Sequence, residues 1–389
     1  MRITAIHEKT VNLQGNIANA VVDFSRHTVS LVAVVSDQIQ QGKAVTGLAF
    51  NSIGRFAQGG ILRERMIPRL LAADPASLIN ETENRFDTAA VTAAVMRDEK
   101  PGGHGDRAGA AAALELAFWD LNAKLAQQPA YQHIATTLDQ APTTRGASVY
   151  AAGGYYYPGE SNRQLADELK GYQDQGYEAF KIKIGGRSLT EDMGRVETAI
   201  NIAGTPEAIA VDANGRFDLA TARTYAEALS GFNLRWYEEP GDPLDYALLA
   251  ELVTHYDGSI ATGENLFSAA DTINLMRYGG LRPDRDILQM DPGLSYGLGE
   301  YLKILQVTAA AGFPRSRCIP HGGHLINLHI VSALGLGGCE AYPGVFNPFG
   351  GYSAQCTIKD GHVFPGDAPG FGLEQKTELA PFISHLLER

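Results

Sequence analysis

The feature that most constrains the fold is an alternation of short apolar runs with helical stretches, from about residue 147 onward. Helical patterns such as LADELKGYQDQG (165–176) fill the gaps between the runs. Repeated β-α units imply parallel strands, and this many of them predict a closed (β/α) barrel. The rival is an open doubly wound sheet, which usually shows an early G-x-G-x-x-G turn that is not seen here. The runs are SVYAAGG, AFKIKIGG, AIAVDANG, LRWYEEP, SIATGEN, DILQMDPG, RCIPHGG and GGCEAYP.

Each run from the second onward contains an ionisable residue near its carboxyl end. Five of the six intervals between these residues are 26 to 30 positions long, and the last is 19. One βα unit of a barrel of about 250 residues has roughly that length, and active sites lie at the carboxyl ends of barrel strands. The periodicity therefore predicts one polar site. Its members are Lys183, Asp212, Glu238, Glu264, Asp291, His321 and Glu340.

Three carboxylates, Asp212, Glu238 and Glu264, end successive strands. Converging on one barrel mouth, they would repel one another unless a hard cation lay between them. Mg²⁺ favours such oxygen ligands and leaves positions for water or substrate. The alternative is that each is a separate surface acid or helix cap. Their neighbours Asn214 and Glu239 are interpreted as supporting these ligands or facing the substrate.

His321 lies in CIPHGGHLINLH, close to His324 and His329. The spacing matches neither H-E-x-x-H nor a zinc finger, although a zinc site is conceivable. Asp291, one strand earlier, is placed to hold the His321 ring and fix its tautomer, which favours an acid/base role. We interpret His324 and His329 as structural.

Composition bounds the remaining possibilities. A chain of 389 residues predicts two domains, and a net charge of -12 argues against nucleic acid or an anionic membrane as the main partner. There is no apolar run of about 18 residues. Three widely spaced cysteines and the lack of a signal-peptide core predict a cytoplasmic location. We expect one domain from residues 1–140, a barrel from 145–344, and a Gly/Pro-rich tail, 345–389, that returns to the first domain.

Two lysines, Lys181 and Lys183, interrupt the apolar run AFKIKIGG. Residues two apart on a strand point to one side, so the two ammonium groups should face the same place and repel each other. A neighbouring ammonium lowers the pKa of a lysine. We therefore expect Lys181 to help keep Lys183 unprotonated.

The whole pattern resembles the enolase superfamily and, within it, the mandelate racemase subgroup. It consists of K-x-K on the second barrel strand, Asp, Glu and Glu on the next three, and Asp and His on the sixth and seventh. The resemblance extends to AFWDLNAKLAQQP and PGFGLE. Longer strings are similar to the D-tartrate dehydratases of that subgroup. They are FNSIGRFAQGG, EKPGGHG, YAAGGYYYPG, VDANGRF, GDPLDYAL, ATGENLFS and SRCIPHGGH.

The resemblance implies a (β/α)7β modified TIM barrel under an α+β capping domain, with one Mg²⁺ on the three carboxylates. It implies Lys183 as the base and the Asp291–His321 pair as the acid, and it favours a homo-oligomer. The implied reaction abstracts the α-proton of an acid sugar carboxylate and eliminates the 3-hydroxyl, converting D-tartrate to oxaloacetate. Candidate substrate contacts are Lys181, Asn51, Arg55, Lys100, Tyr156 and Glu340.

Several alternatives stay open at this point. Glu340 is either a protonated donor to the substrate carboxylate or a plain structural acid. The enzyme could be a dehydratase of longer acid sugars or a racemase of the same subgroup. A non-catalytic barrel that binds a metal and a carboxylate is a further alternative, although a binder has no use for Lys183 and His321.

Overall fold

A computed structural model describes residues 1–388, except 81, 83, 142–145, 158 and 160. The chain begins with a three-stranded antiparallel sheet followed by helices and a short hairpin. The elements are β1 (Ile3–Asn12), β2 (Thr28–Gln40), β3 (Lys43–Phe50), α1 (Gly59–Ile61), a π-helical turn (Leu62–Met66), α2 (Ile67–Leu71), β4 (Ile79–Asn80), β5 (Arg85–Phe86), α3 (Thr88–Val95), α4 (Asp106–Leu125) and α5 (Ala130–Thr137).

Helix α4 packs across the sheet because its many alanines let the backbones approach closely. Gly47 of β3 marks the closest contact, since a Cβ atom there would lie 2.0 Å from the carbonyl oxygen of Ala117. This packing buries nearly the whole of α4. No helix in the described part of the chain is long and apolar enough to cross a membrane.

The second half of the chain is the barrel that the alternating runs predict. Its elements are β6 (Ala147–Ala152), α6 (Asn162–Asp174), β7 (Phe180–Lys183), α7 (Leu189–Ala203), β8 (Ile209–Asp212), α8 (Leu219–Leu229), β9 (Trp236–Glu238), α9 (Tyr246–Leu252), β10 (Ile260–Thr262), α10 (Ala269–Tyr278), β11 (Ile287–Leu288), α11 (Leu298–Ala310), α12 (Leu325–Leu334) and β12 (Cys339–Ala341).

The strands from β6 to β11 pair in parallel and in chain order, and β12 returns to pair with β6. Between β11 and β12 the seventh position of the ring is a single bridge from Leu288 to Cys318. Ile319 extends it by donating its N–H to the Leu288 carbonyl, 2.9 Å away. The result is a closed (β/α)7β barrel, which confirms the predicted fold class.

The tail contains β13 (Ile358–Lys359), β14 (His362–Val363) and α13 (Ala380–Leu387). Strand β14 pairs antiparallel with β6, and α13 packs against β1. The Phe371 N–H donates to Asp120 of α4 at 2.6 Å. The tail thus contacts both the barrel and the N-terminal elements. The boundary expected between residues 140 and 145 falls mostly on 142–145, outside the described residues.

A buried carboxylate joins the N-terminal elements to the barrel. Glu115 of α4 accepts hydrogen bonds from the backbone N–H groups of Leu298 (2.9 Å) and Gly299 (3.1 Å), at the start of α11. It also accepts from Trp119 Nε1 at 2.8 Å. Burial, opposed by these three donors, raises the pKa of Glu115 to about 7.

Candidate active site

A cavity of about 420 Å³ opens at the carboxyl ends of the barrel strands. Because this end collects the last residue of each strand, the predicted polar residues meet here. The segment before β2 and the chain following β3 form the opposite wall. Barrel residues in the wall include Lys181, Lys183, Glu264, His321 and Glu340, and residues from the N-terminal segments include Asn19, Val22, Ile53 and Arg55.

The two lysines of β7 are both buried, and each is paired with carboxylates. Lys181 Nζ lies 2.6 Å from Glu238, 2.8 Å from Glu340 and 3.8 Å from Asp212. Lys183 Nζ lies 2.5 Å from Asp212. Burial lowers the pKa of Lys181, but the surrounding carboxylates outweigh burial and raise it well above its usual value. Lys181 is therefore a fixed cation.

The carboxylates of Asp212, Glu238 and Glu264 converge beside the cavity, and we call them the carboxylate floor. Glu264 lines the cavity, whereas Asp212 and Glu238 are fully buried and contact its two lysines. Each carboxylate offers an oxygen, and these oxygens all lie within 4.8 Å of one another. Burial raises the pKa of Glu238 to about 7; Lys181 opposes this, and the charges of Asp212 and Glu264 add to it. Burial also acts against the Asp212 anion, but Lys183 and Lys181 hold its pKa below the usual value. The geometry brings together the three predicted metal ligands.

The charges around this floor fit a divalent cation. Two groups of ion pairs meet where Glu264 lies beside the other two carboxylates, and with every group ionised they carry together two more negative than positive charges. Buried charges are stable only when paired or when they bind a metal, so the donor set fits one Mg²⁺ held by the three carboxylates. Together the two groups consist of Asp212, Glu238, Glu264, Asp291 and Glu340 with Lys181, Lys183 and His321.

His321 and Asp291 form the pair that their strand positions predict. His321 Nδ1 lies 3.2 Å from Asp291 Oδ2, and Nε2 lies 3.7 Å from Glu264 Oε2. Burial disfavours the imidazolium, but Glu264, Asp291 and Glu340 outweigh burial and raise the pKa of His321 to about 9. An imidazolium at neutral pH is a proton donor facing the cavity.

The other two histidines of this segment have structural partners. His324 caps α12 and lies 2.9 Å from the Ser52 hydroxyl, and burial lowers its pKa to about 4. His329 accepts from the Tyr131 N–H at 3.2 Å, and burial lowers its pKa to about 3. Both rings are therefore neutral near pH 7 and lie outside the cavity wall.

Glu340 lines the cavity as an ionised acid. Burial raises its pKa, but Lys181 and His321 outweigh burial and bring it down to about 2. Its Oε2 accepts from the Gly322 N–H at 2.8 Å and from the Tyr342 hydroxyl at 3.0 Å. Of the two readings of Glu340, the geometry favours an anion that holds Lys181 over a protonated donor to substrate.

Of the four remaining substrate-contact candidates, the cavity wall includes Arg55 alone. Its guanidinium donates to Asn265 at 2.7 Å and lies 5.1 Å from the Phe267 ring. Asn51 is buried behind the wall, where it accepts from the Ser30 N–H at 2.7 Å and donates to backbone carbonyls. Lys100 is exposed and outside the wall, because Arg107 binds its carbonyl at 2.8 Å and fixes the loop.

Tyr156 also points away from the cavity. Its hydroxyl accepts from the Gly186 N–H at 2.9 Å and lies 3.4 Å from Asp192. The preceding residue, Tyr155, takes the inward position, and its ring lies 5.1 Å from Lys183 Nζ. The strand β6 ends at Ala152, so Gly154, with φ of +57°, resets the alternation before this tyrosine.

Two more polar wall residues escaped the sequence analysis. Tyr342 lies 3.0 Å from His321 Nε2, and Asn265 donates to both carboxylate oxygens of Glu239 at 2.9 Å. Tyr342 stands two positions after Glu340, so the two-residue period of strands is a signal that could have identified it. Asn265 directly follows the predicted metal ligand Glu264, and no periodicity in the sequence indicated that its side chain lines the cavity.

Two family models match the chain, and together they cover most of its length. Residues 7–134 match the mandelate racemase / muconate lactonizing enzyme N-terminal domain. Residues 164–379 match the enolase C-terminal domain-like family. The first match covers the sheet with its helices, and the second covers the barrel from α6 and most of the tail.

Curated relatives and solved structures agree with these matches. Arabinonate dehydratase of Saccharolobus solfataricus is 29% identical over 67% of this chain and 68% of its own length. L-talarate/galactarate dehydratase of Salmonella typhimurium is 25% identical over 88% of this chain and 80% of its own. A racemase from Streptomyces coelicolor with bound magnesium has a TM-score of 0.78 at 22% identity and 99% coverage of both chains, and shows the shared fold. The chain belongs to the mandelate racemase / muconate lactonizing enzyme family of the enolase superfamily.

Proposed function

We propose that the protein is a Mg²⁺-dependent dehydratase of an acid sugar carboxylate. The observation that carries the proposal is the placement of Lys183 and His321 in one cavity wall, beside the three converging carboxylates of the floor. A binding protein needs the floor but has no use for a buried lysine and a histidine held as an imidazolium. Two curated relatives are named as acid sugar dehydratases, which supports the same class of reaction.

The first step is removal of the α-proton by Lys183. This proton is weakly acidic because its loss places a second negative charge on the substrate carboxylate. When bound by Asp212, Glu238 and Glu264, Mg²⁺ supplies positive charge that stabilises this enediolate. Lys181, held as a cation by Glu238 and Glu340, contributes a second fixed charge beside it.

The second step is departure of the 3-hydroxyl. His321 Nε2–H donates its proton to the leaving oxygen as the C3–O bond breaks, and water leaves. Asp291 keeps the Nδ1 proton in place and stabilises the imidazolium before transfer. The enol that remains tautomerises to a 2-keto acid.

We propose D-tartrate as the substrate and oxaloacetate as the product. The proposal rests on the strings similar to D-tartrate dehydratases and on Arg55, a guanidinium in the cavity wall. Arg binds carboxylates through two parallel hydrogen bonds, which suits the second carboxylate of a dicarboxylic acid. Longer acid sugars and racemisation are the competing outcomes of the test below.

The test is a panel of acid sugars incubated with the enzyme and Mg²⁺, with detection of 2-keto acids and of deuterium uptake at C2 from D₂O. We expect oxaloacetate from D-tartrate. Keto-acid formation from a six-carbon acid sugar but not from tartrate would overturn the substrate assignment. Deuterium uptake without dehydration would identify a racemase.

Two variants test the roles of the acid and the base. Lys183→Ala should lose both deuterium uptake and dehydration, whereas His321→Asn should lose dehydration and keep uptake. A general acid or base contributes about 10²- to 10⁴-fold, which sets the expected loss. Lys170→Ala and His255→Asn remove exposed residues of the same types and serve as controls. Full turnover by either active-site variant would contradict the assigned roles.

A further inference from the structure

Tyr342 is a buried phenol in the cavity wall, between the acid and the anion that holds Lys181. Its hydroxyl lies 3.0 Å from His321 Nε2 and 3.0 Å from Glu340 Oε2. Its ring packs edge-on against Phe346, with centroids 4.8 Å apart. The ring is therefore fixed by packing, and only the O–H bond is free to turn.

The direction of the hydrogen bonds of the Tyr342 hydroxyl depends on whether His321 is protonated. In the imidazolium without substrate, Nε2–H donates to the Tyr342 oxygen, so the phenol proton is directed to Glu340. With substrate bound, the leaving hydroxyl replaces the Tyr342 oxygen as the acceptor of Nε2–H. In the neutral ring, Asp291 keeps the proton on Nδ1, and Nε2 becomes an acceptor. The phenol must then turn and donate to Nε2, because a buried acceptor without a partner is costly.

Glu340 tolerates the loss of the phenol donor. Its Oε2 keeps the Gly322 N–H at 2.8 Å, and Lys181 Nζ remains 2.8 Å from Oε1. Both orientations of the Tyr342 hydroxyl are therefore satisfied without movement of the protein. In the second orientation, the Tyr342 hydroxyl donates a hydrogen bond to His321 Nε2 after that nitrogen has lost its proton.

We propose that Tyr342 is a positioning residue for the acid step, whose hydroxyl turns from Glu340 to His321 Nε2 as that nitrogen transfers its proton to the departing hydroxyl. No bond of Tyr342 is broken, and the transferred proton leaves in the water that forms. By stabilising neutral His321, Tyr342 favours proton transfer over its reversal. This inference rests on the proposed dehydratase function and adds a residue to it.

The test compares Tyr342→Phe with the wild type in D₂O, using whichever acid sugar of the panel the wild type dehydrates. The α-proton step belongs to Lys183 and does not involve the phenol. We expect dehydration to fall about 10- to 100-fold, as for a buried acceptor, here Nε2 of neutral His321, that is left without its partner. The ratio of deuterium uptake to dehydration should rise by a similar factor.

The matched control is Tyr352→Phe, which removes a phenol that donates to the Glu340 carbonyl at 2.7 Å but lies outside the cavity wall. This variant should leave the ratio unchanged. The double variant His321→Asn/Tyr342→Phe should show the deuterium uptake of His321→Asn alone, since Tyr342 acts through His321.

An unchanged ratio in Tyr342→Phe would overturn the inference, and so would a parallel fall of uptake and dehydration. A further loss of uptake in the double variant would also overturn it. These results are distinct from failure of the proposed function, which is a wild type that dehydrates no acid sugar of the panel.

Discussion

The buried carboxylate of Glu115 gives a prediction that does not depend on substrate or metal. Its side chain is 2% exposed and joins α4 to the start of α11 through two backbone donors, with Trp119 as the third partner. The substitution Glu115→Gln keeps the shape of the side chain and removes its ability to ionise. The comparison therefore isolates the free energy of burying a charge at this junction.

The sign follows from the raised pKa of Glu115, about 7 in the folded chain against 4.5 for an ordinary glutamate. Between these values the folded state binds more protons than the unfolded state, so stability falls as pH rises from 4.5 to 7. The full effect is roughly 3 kcal/mol. Between pH 5 and pH 8, about 2–3 kcal/mol of it should appear. For a chain of 389 residues this corresponds to roughly 3 °C in the unfolding midpoint.

The assay is thermal unfolding of wild type and Glu115→Gln at pH 5 and pH 8, followed by tryptophan fluorescence. The chain has two tryptophans, and Trp119 donates directly to Glu115, so its emission reports on this junction. The wild-type midpoint relative to the variant should be about 3 °C higher at pH 5 than at pH 8. Glu197→Gln, an exposed change on α7, is the control and should show no such dependence.

A difference that does not vary with pH would refute the reasoning. It would mean that the three donors compensate the buried charge fully, and that the carboxylate is ionised throughout this range. A difference that grows with pH would show that the donors outweigh burial and that the pKa of Glu115 lies below its ordinary value.

Three further predictions concern the cavity. Removal of divalent cations by a chelator should abolish turnover and lower the unfolding midpoint, because the carboxylate floor is left with excess negative charge; added Mg²⁺ should restore both, and an unchanged midpoint would count against the metal site. Lys181→Met should destabilise the fold by about 3–5 kcal/mol in urea unfolding, because Glu238 and Glu340 lose their buried partner. Arg55→Ala should raise KM for D-tartrate about 10-fold or more and change KM little for a monocarboxylic acid sugar, with Arg55→Lys intermediate; equal effects on both substrates would show that Arg55 does not bind the second carboxylate.

The barrel was predictable because each strand had to be apolar, short and followed by a polar residue at the open end. The seventh strand shows the limit of this reasoning. RCIPHGG reads as a strand, yet the ring there is a single bridge at Cys318. Beyond the bridge, Ile319 and His321 donate their N–H groups to the carbonyls of Leu288 and Gln289 at 2.9 and 3.1 Å, whereas Pro320 between them has no N–H to donate. The chain then turns to place His321 in the cavity wall.

The N-terminal contacts were harder to predict because they depend on distant partners. The string EKPGGHG offered Lys100 as a candidate substrate contact. In the structure the neighbouring Glu99 lies 2.8 Å from Arg69 and 3.3 Å from Arg107. The Arg107 guanidinium also donates a hydrogen bond to the Lys100 carbonyl. These ion pairs bring together residues that the local sequence treats separately, and they hold the loop away from the cavity.

For the two lysines of β7, the local sequence predicts their mutual repulsion but not the carboxylates that neutralise them. The sequence indicated repulsion between two ammonium groups, and the geometry adds attraction from carboxylates closer than 3 Å to each of them. Lys181 has three carboxylate partners within 4.0 Å, whereas Lys183 has Asp212 alone among the described ion pairs. The more heavily paired lysine is suited to act as a fixed charge, since moving it would strand several buried anions. Lys183 has one partner to leave, which suits its proposed role as the base.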